Sequence, residues 1–383
     1  MAKSVVLCAY NVANFPEGDG HFWVYLQYAL GLQELGCDVY WLERFRRSAD
    51  RARDEAALAA FFARMSSFCM GGRIIVLAGA DGEAPGRTET LGMSAAQADQ
   101  VFDRADLLLN FHYAIHPELL GRFHRTALVD IDPGLFQIWT SRNQLAVPCH
   151  DHYFTTGETV GRPWACFPDC GLPWVHIRPA VSLEQWPRAE GPGGDAMTTV
   201  SAWSSADWVI DGPVRYENSK RLGFLPYREL PRLTRRPLEL ALFLLTDTDE
   251  ADRRMLASFG WRIRDSHEVA GTPLAYRDYI RGSRGEFSCA KPSCVRLQNA
   301  WVSDRTLCYL ASGRPVVVQH TGPSEYLPSG EGMFRFRSPE EAAAALEAID
   351  TDYERHRRAA RALAEAHFDA RKVAKRILEV AAT

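Results

Sequence analysis

The stretch Trp186–Asp195, WPRAEGPGGD, divides the chain into two parts written in the same style. Proline removes a backbone donor and glycine resists ordering, so such a run reads as a linker. Before it, short apolar runs alternate with helix-periodic ones. Strands are predicted at Ser4–Ala9, Asp38–Leu42, Arg73–Leu77, Asp106–Asn110 and Thr126–Asp130. Helices are predicted at Phe22–Leu35, Asp50–Met65, Ala95–Phe102 and Pro117–Phe123. Beyond it the alternation restarts, with strands at Thr198–Trp203, Leu238–Leu244, Trp261–Arg264, Glu286–Ser288 and Pro315–Gln319. Helices there are predicted at Ser219–Leu233, Thr248–Phe259, Ala275–Ser283, Ser303–Ala311, Pro339–Ile349 and Tyr353–Ala382.

Strands rich in Val and Leu that alternate with helices require a parallel sheet covered on both faces. The expectation is therefore α/β: two Rossmann-like domains, residues 1–187 and 196–360, facing each other across a cleft. The terminal helical segment, residues 361–383, is longer than one domain needs and is expected to cross back to the first. A length of 383 residues suits two domains of ~150–200 residues each. In such sheets ligands sit beyond the carboxyl ends of the strands, where strand order reverses.

Composition removes several function classes. The formal net charge is −4 with no basic block, which argues against a nucleic-acid partner. No apolar run approaches the ~20 residues of a membrane span, and no signal-peptide pattern opens the chain. The nine cysteines are scattered, several inside apolar segments, as expected of reduced thiols in a cytoplasmic protein. No C-x2-C spacing occurs, so no structural zinc is expected.

The densest chemistry lies between Tyr276 and Leu327, YRDYIRGSRGEFSCAKPSCVRLQNAWVSDRTLCYLASGRPVVVQHTGPSEYL. A helix opening at Ser303-Asp304-Arg305-Thr306 presents unpaired N–H groups and a positive dipole end, suited to a diphosphate. Ser303 or Asp304 serves equally as a plain N-cap. Arg305 adds a fixed fork of donors.

This run resembles the donor site of GT-B glycosyltransferases, in which a helix ends in A-x-G-x-P-V-V before a Gly-containing loop and a Glu. With S-D-R and the E-F-x-x-A-K loop it is similar to bacterial GT-B glycosyltransferases, well over the C-terminal part and in outline over the N-terminal part. The resemblance implies transfer of a sugar from a nucleotide sugar to a small-molecule or glycan acceptor. It implies donor contacts at Glu286, Ser288, Lys291, Ser303, Asp304, Arg305 and Thr306, and a basic residue near the start of the second domain, Lys220 or Arg221, at the diphosphate. Ser201, at the end of that domain's first strand, joins this set. No cofactor is expected beyond the nucleotide sugar itself, in which UDP, GDP and dTDP are not distinguished, and no metal. Fixed cations alone can stabilise a departing diphosphate. Many retaining members carry two glutamates eight positions apart; here those positions hold Ala300 and Cys308, so retention does not follow.

The first domain is expected to supply the acceptor side and the base. The turn Glu17-Gly18-Asp19-Gly20-His21 lies between the first strand and first helix, facing the cleft, and either Asp19 or His21 suits proton removal. Gly20, His112 and Asp132 are candidate acceptor contacts. Asp130-Ile131-Asp132 has the D-x-D spacing of a metal pair, but hydrogen bonding to acceptor or backbone is the preferred reading. Trp139, Trp164, Trp174 and Trp203 are stacking candidates, each of which core packing also explains. The alternatives are a nucleotide-sugar epimerase or hydrolase of the same fold, or a two-domain binding protein without catalysis.

Overall fold

The structure is a computed structural model that describes residues 3–205, 208–244 and 246–382. Met1 and Ala2 of the expected first domain, and Thr383 of the expected terminal helix, lie outside the described residues.

The first part builds an eight-stranded sheet. Its strands are β1 (Ser4–Cys8), β2 (Asp38–Arg46), β3 (Ile74–Gly79), β4 (Glu89–Leu91), β5 (Leu107–Asn110), β6 (Thr126–Asp130), β7 (His152–Thr155) and β8 (Trp174–His176). Its helices are α1 (Asp19–Glu34), α2 (Arg51–Ser67), α3 (Ala95–Arg104), α4 (Pro117–Leu120) and α5 (Leu135–Ser141). The strand order is β4-β3-β2-β1-β5-β6-β7-β8, parallel except for β4. The central strands β1, β5 and β6 are apolar and almost wholly buried, as helices on both faces demand. The order turns back between β1 and β5, which opens a crevice beyond Cys8 and Asn110.

The second part repeats the plan in six parallel strands. They are β9 (Met197–Ala202), β12 (Leu238–Phe243), β13 (Arg262–Asp265), β14 (Gly285–Ser288), β15 (Val316–Gln319) and β16 (Met333–Phe336), in the order β13-β12-β9-β14-β15-β16. A separate hairpin pairs β10 (Trp208–Asp211) with β11 (Val214–Glu217) about Gly212-Pro213, Gly212 taking the positive φ that such a tight turn requires. The helices are α6 (Lys220–Phe224), α7 (Asp247–Ser258), α8 (Ser266–Ala270), α9 (Pro273–Gly282), α10 (Pro292–Leu297), α11 (Asp304–Ala311), α12 (Pro339–Thr351), α13 (Tyr353–Leu363) and α14 (Ala370–Ala381). The order reverses between β9 and β14, so the second crevice opens beyond Ala202 and Ser288.

Three expectations change. The helix expected over Ser219–Leu233 stops at Phe224 and continues as two 3-10 turns, because Pro226 and Pro231 lack the donors an α-helix needs. The terminal helical segment is interrupted by a π-type turn at Ala364–Phe368, after which Asp369 bridges Val181 as a strand would. The linker is also tied down rather than loose. The carbonyls of Trp186, Ala189, Gly191 and Pro192 accept hydrogen bonds from Arg361, Arg357, Arg314 and Tyr353 respectively.

Helix α1 is apolar on nearly every face and buried on nearly every face, which a helix of that kind must be. It packs on α14, α9 and α11, so it touches both halves of the chain. Trp23 Nε1 donates to the Pro273 carbonyl at 3.0 Å, and the Trp23 ring meets Trp186 at 5.0 Å. The buried Gln27 amide accepts from the Ser182 backbone N–H at 2.7 Å and donates to Cys308 Sγ at 3.7 Å. On the far side, Glu158 accepts from Ser324 Oγ and the Glu325 N–H, closing a second contact between the halves.

Close approach of α1 and α14 depends on Gly31, where a Cβ would lie 2.4 Å from the Ala370 carbonyl oxygen. Gly31→Val is therefore expected to destabilise the chain by about 1–3 kcal/mol through overpacking. Urea unfolding followed by tryptophan fluorescence checks this; an unchanged midpoint would refute the tight α1–α14 seam.

Candidate functional site

A cavity of about 850 Å³ lies between the carboxyl ends of the two sheets. Its walls come from the segments that follow β1, β5 and β6 on one side and β9, β12, β13 and the start of α11 on the other. Topology alone places it there, since both strand orders reverse at this edge.

On the second-domain side, Arg305 projects from the first turn of α11. Its Nε donates to Glu286 Oε1 at 2.8 Å, one terminal nitrogen to the Val200 carbonyl at 2.9 Å, and the other to Ser288 Oγ at 2.5 Å. Glu286 is fully buried and the Arg305 side chain nearly so. The strand residues Glu286 and Ser288 thus hold Arg305 in place, and Arg305 rather than either of them lines the cavity. Thr306 is buried behind the same turn. Ser303 is the N-cap residue, yet its side chain makes no capping hydrogen bond, so the first-turn N–H groups of α11 are not satisfied by it. Ser303 and Asp304 line the cavity. Burial, with Asp132 opposite, pushes the Asp304 carboxyl up to about 7, which leaves it able to donate a hydrogen bond as well as accept one.

Lys220 and Lys291 also line the cavity. Lys220 Nζ donates to the Cys289 carbonyl at 2.5 Å and sits 5.7 Å from the centre of the Trp301 ring. Burial first, and then the Arg305 charge, push the Lys220 ammonium down to about 7. Its neighbour Arg221 points away, pairing with Asp252 at 2.5 Å, and does not line the cavity. Of the two cations open to choice in the sequence, Lys220 is the one at the cleft. Ser201 lines it too, its hydroxyl donating to the Ala202 carbonyl at 2.8 Å.

On the first-domain side, Asp19 begins α1 and is buried, with neither carboxylate oxygen hydrogen-bonded within the described residues. Arg64 stands 3.3 Å from Oδ1 as an ion pair without hydrogen-bond geometry. Burial pushes the Asp19 carboxyl up to about 6, against the opposing pull of Arg64. His21 lies 2.7 Å through Nε2 from the Tyr10 carbonyl. A carbonyl only accepts, so Nε2 carries the proton and Nδ1 is the basic nitrogen. Burial lowers the His21 pKa, keeping the ring neutral. The loop before α1 is held by Glu43, which is fully buried and accepts from the Val12 N–H at 2.8 Å and from Trp41 Nε1 at 3.1 Å.

Gly20 lies where a Cβ would come 3.2 Å from the Tyr276 hydroxyl, so its smallness serves the approach of the other domain. Asp132 lines the cavity and accepts from the Tyr113 hydroxyl at 3.2 Å. Asp130 is wholly buried and accepts from Gln137, Thr155 and the Asp132 N–H, which is a structural carboxylate and not one arm of a metal pair. Among the described residues no cluster of His, Cys, Asp and Glu could hold a metal ion. His112 is not among the lining residues; burial pushes its ring down to about 4 and it packs edge-on to Tyr10. Of the tryptophan candidates, Trp139 lines the cavity, Trp203 and Trp174 are packed with their Nε1 groups satisfied, and Trp164 is exposed elsewhere.

Sequence reasoning missed Trp301, Tyr276, Phe243, Tyr10 and Tyr113 in the walls. Trp301 and Tyr276 stood within the quoted motif run, and position two before Ser303 was the available signal. The positions compared with the acidic pair, Ala300 and Cys308, are buried and outside the lining. Within A-S-G-R-P-V-V, Gly313 takes a positive φ after α11, and Arg314 donates to the Arg281 and Gly191 carbonyls. That motif therefore serves the fold more than the ligand.

No protein-family model matches the chain, and no curated protein matches it in sequence. Solved structures match over nearly its whole length. HepE from Anabaena, solved in complex with UDP-glucose, aligns over 98% of both chains with a TM-score of 0.61 and 12% identity. Sucrose-phosphate synthase from Thermosynechococcus elongatus covers 99% of this chain and 98% of its own, with a TM-score of 0.56 and 12% identity. AviGT4, a glycosyltransferase involved in avilamycin A biosynthesis, covers 99% and 97%, with a TM-score of 0.56 and 15% identity. The chain thus has the GT-B fold, two Rossmann-like domains about a central cleft.

The Arg305–Glu286 pair makes a sharp expectation. Arg305→Ala leaves a fully buried carboxylate without its partner, so it is expected to destabilise the chain by about 3–5 kcal/mol. Denaturant unfolding measures it, and Arg305→Ala/Glu286→Gln is expected to recover much of the loss.

Proposed function

We propose that the chain is a metal-independent glycosyltransferase that moves a sugar from a nucleoside-diphosphate sugar to an acceptor hydroxyl. The observation that carries this reading is the polarity of the cleft. Lys220, Lys291 and the first turn of α11 stand on one wall, and the buried, raised carboxyl of Asp19 stands on the other. The GT-B fold shared with HepE, which was solved with UDP-glucose, supports it.

In this reading the diphosphate lies against Lys220, Lys291 and the N–H groups of α11. The base lies along Phe243, Ser266 and His267 at the ends of β12 and β13, where Phe243 and His267 already meet edge-on at 5.0 Å. Asp19 takes the proton of the acceptor hydroxyl as the new bond to the anomeric carbon forms. The bond from that carbon to the phosphate oxygen breaks, and the leaving diphosphate keeps the electron pair. Fixed cations are strongest where water is excluded, and they need no reorganisation as the charge develops. A carboxyl near 6 is well matched to proton removal close to neutral pH. Arg305 acts mainly as the strut of this wall, since Glu286 already answers its charge. We also place the reaction in a bacterial cytoplasm. The nine unpaired cysteines support this reading, as does the want of a described helix long and apolar enough to cross a membrane.

Two outcomes test the proposal. UDP, GDP or dTDP at millimolar concentration is expected to raise the melting temperature, because a ligand of the folded state stabilises it. The Lys220 ammonium near 7 is stabilised by a bound diphosphate, so binding takes up a proton. Affinity is accordingly expected to fall as pH rises above about 7, by up to about tenfold per pH unit, and to lose this slope in Lys220→Met. Calorimetry at several pH values reads it; no thermal shift with any nucleotide would sink the proposal. Separately, Asp19→Asn is expected to reduce transfer by about 10²–10⁴-fold while leaving the nucleotide-induced thermal shift in place. Product analysis without acceptor that showed an epimerised sugar would favour the epimerase over the transferase.

A further inference from the structure

The cations lining the cleft are confined to one wall, where Asp304 is the one carboxyl beside them among the described residues. Every lysine and arginine among its described lining residues, namely Lys220, Lys291 and Arg305, belongs to the second domain. The first-domain wall contributes the carboxylates Glu17, Asp19 and Asp132 and no lysine or arginine. Arg64, the cation closest to Asp19, is engaged with that carboxylate and is not part of the wall.

The rest of the first-domain wall is largely aromatic and aliphatic. Tyr10, about half exposed, opens the cavity, and Phe15, Tyr113, Ile131, Trp139 and Leu145 continue it. Tyr113 and Asp132 are fixed to one another, since the Tyr113 hydroxyl donates to Asp132 Oδ2 and accepts from the Ile131 N–H at 2.9 Å. The carboxylate is therefore a settled feature of the wall beside flat apolar surface.

A nucleoside diphosphate answers the two lysines of the opposite wall, while Glu286 already answers Arg305. Among the described lining residues no cation is then left for a second phosphate. An anionic acceptor in the first-domain half would be desolvated beside the carboxylates of Glu17 and Asp132, with Asp19 already answered by Arg64, which like charge and burial both oppose. An aromatic or alkyl framework would gain burial against Trp139, Tyr113 and Leu145, and a cationic group would gain Asp132 or Glu17 as a partner.

We infer that the acceptor is an uncharged or cationic molecule carrying its hydroxyl on an aromatic or alkyl framework, and that phosphorylated sugars are excluded. This rests on the glycosyltransferase reading, because it takes the first-domain wall as the acceptor side.

The test is calorimetric titration of the full chain saturated with whichever nucleoside diphosphate gives the largest thermal shift. The two probes are 4-nitrophenyl β-glucoside, neutral and aromatic, and glucose 6-phosphate, of similar size and dianionic. The aryl glucoside is expected to bind at least about tenfold more tightly. Asp132→Lys is expected to narrow that ratio by about tenfold or more while the nucleotide shift persists. Tighter binding of glucose 6-phosphate, or no binding of either probe, overturns the inference while leaving the nucleotide reading intact. Absence of any nucleotide shift fails the reading beneath it and the inference with it.

Discussion

Helix α1 is the constraint on which the rest of the molecule rests. It begins in the cleft at Asp19 and ends against the start of α14 and Ser182, with both halves of the chain in contact along its length. Because its apolar residues run round the whole cylinder, it is stable only when covered on every side. The first sheet covers one side, α14 another, and α9 and α11 of the second domain the rest. Trp23, Trp186 and Tyr276 form a chain of edge-on rings through this junction. Asp19, which faces the cleft, is thereby seated on a helix packed by both halves of the chain.

The cleft itself is built from groups that burial disfavours. Asp19, Asp304 and Lys220 all carry pKa values shifted toward their neutral forms, each with burial as the leading cause. Such groups cost stability, and ion pairs stand behind them. Arg305 with Glu286 and Arg221 with Asp252 stand immediately behind the wall and keep both β14 and α6 in register with it. The arginines that grip the linker carbonyls play the same part between domains. A site poised near neutral protonation is thus surrounded by charges that are locked.

The α/β alternation was legible because Val- and Leu-rich runs such as Thr126–Asp130 and Val316–Gln319 carry a period of their own. Short elements were not: β7, β8 and α5 lie in a stretch where Pro, Cys and aromatic residues mask any period. The hairpin at Trp208–Glu217 did carry a signal, Asp211-Gly212 between two β-prone runs. In the cleft, the motif run named the right wall but mixed two kinds of residue. Glu286 and Ser288 support Arg305 from behind and Thr306 is buried, whereas Lys291, Ser303 and Asp304 meet the cavity. A linear motif records both kinds alike, since each is needed for the same geometry.

By itself the sequence determined the architecture: the periodicity of its apolar runs and the Pro/Gly break at Trp186–Asp195 require two layered α/β units. It also located the chemistry at loops following strands, because those loops carry the polar and glycine residues. Only the tertiary structure decided strand order, and with it the two switch points that face each other. It alone decided that Lys220 and not Arg221 reaches the cleft, that Asp19 is buried with no hydrogen bond among the described residues, and that the lysines and arginines lining the cleft all fall on the second-domain wall. Those outcomes depend on which side chains lose water and which find partners. Some partners lie hundreds of residues away, as Cys308 does from Gln27 and Pro273 from Trp23, where no local pattern can register them.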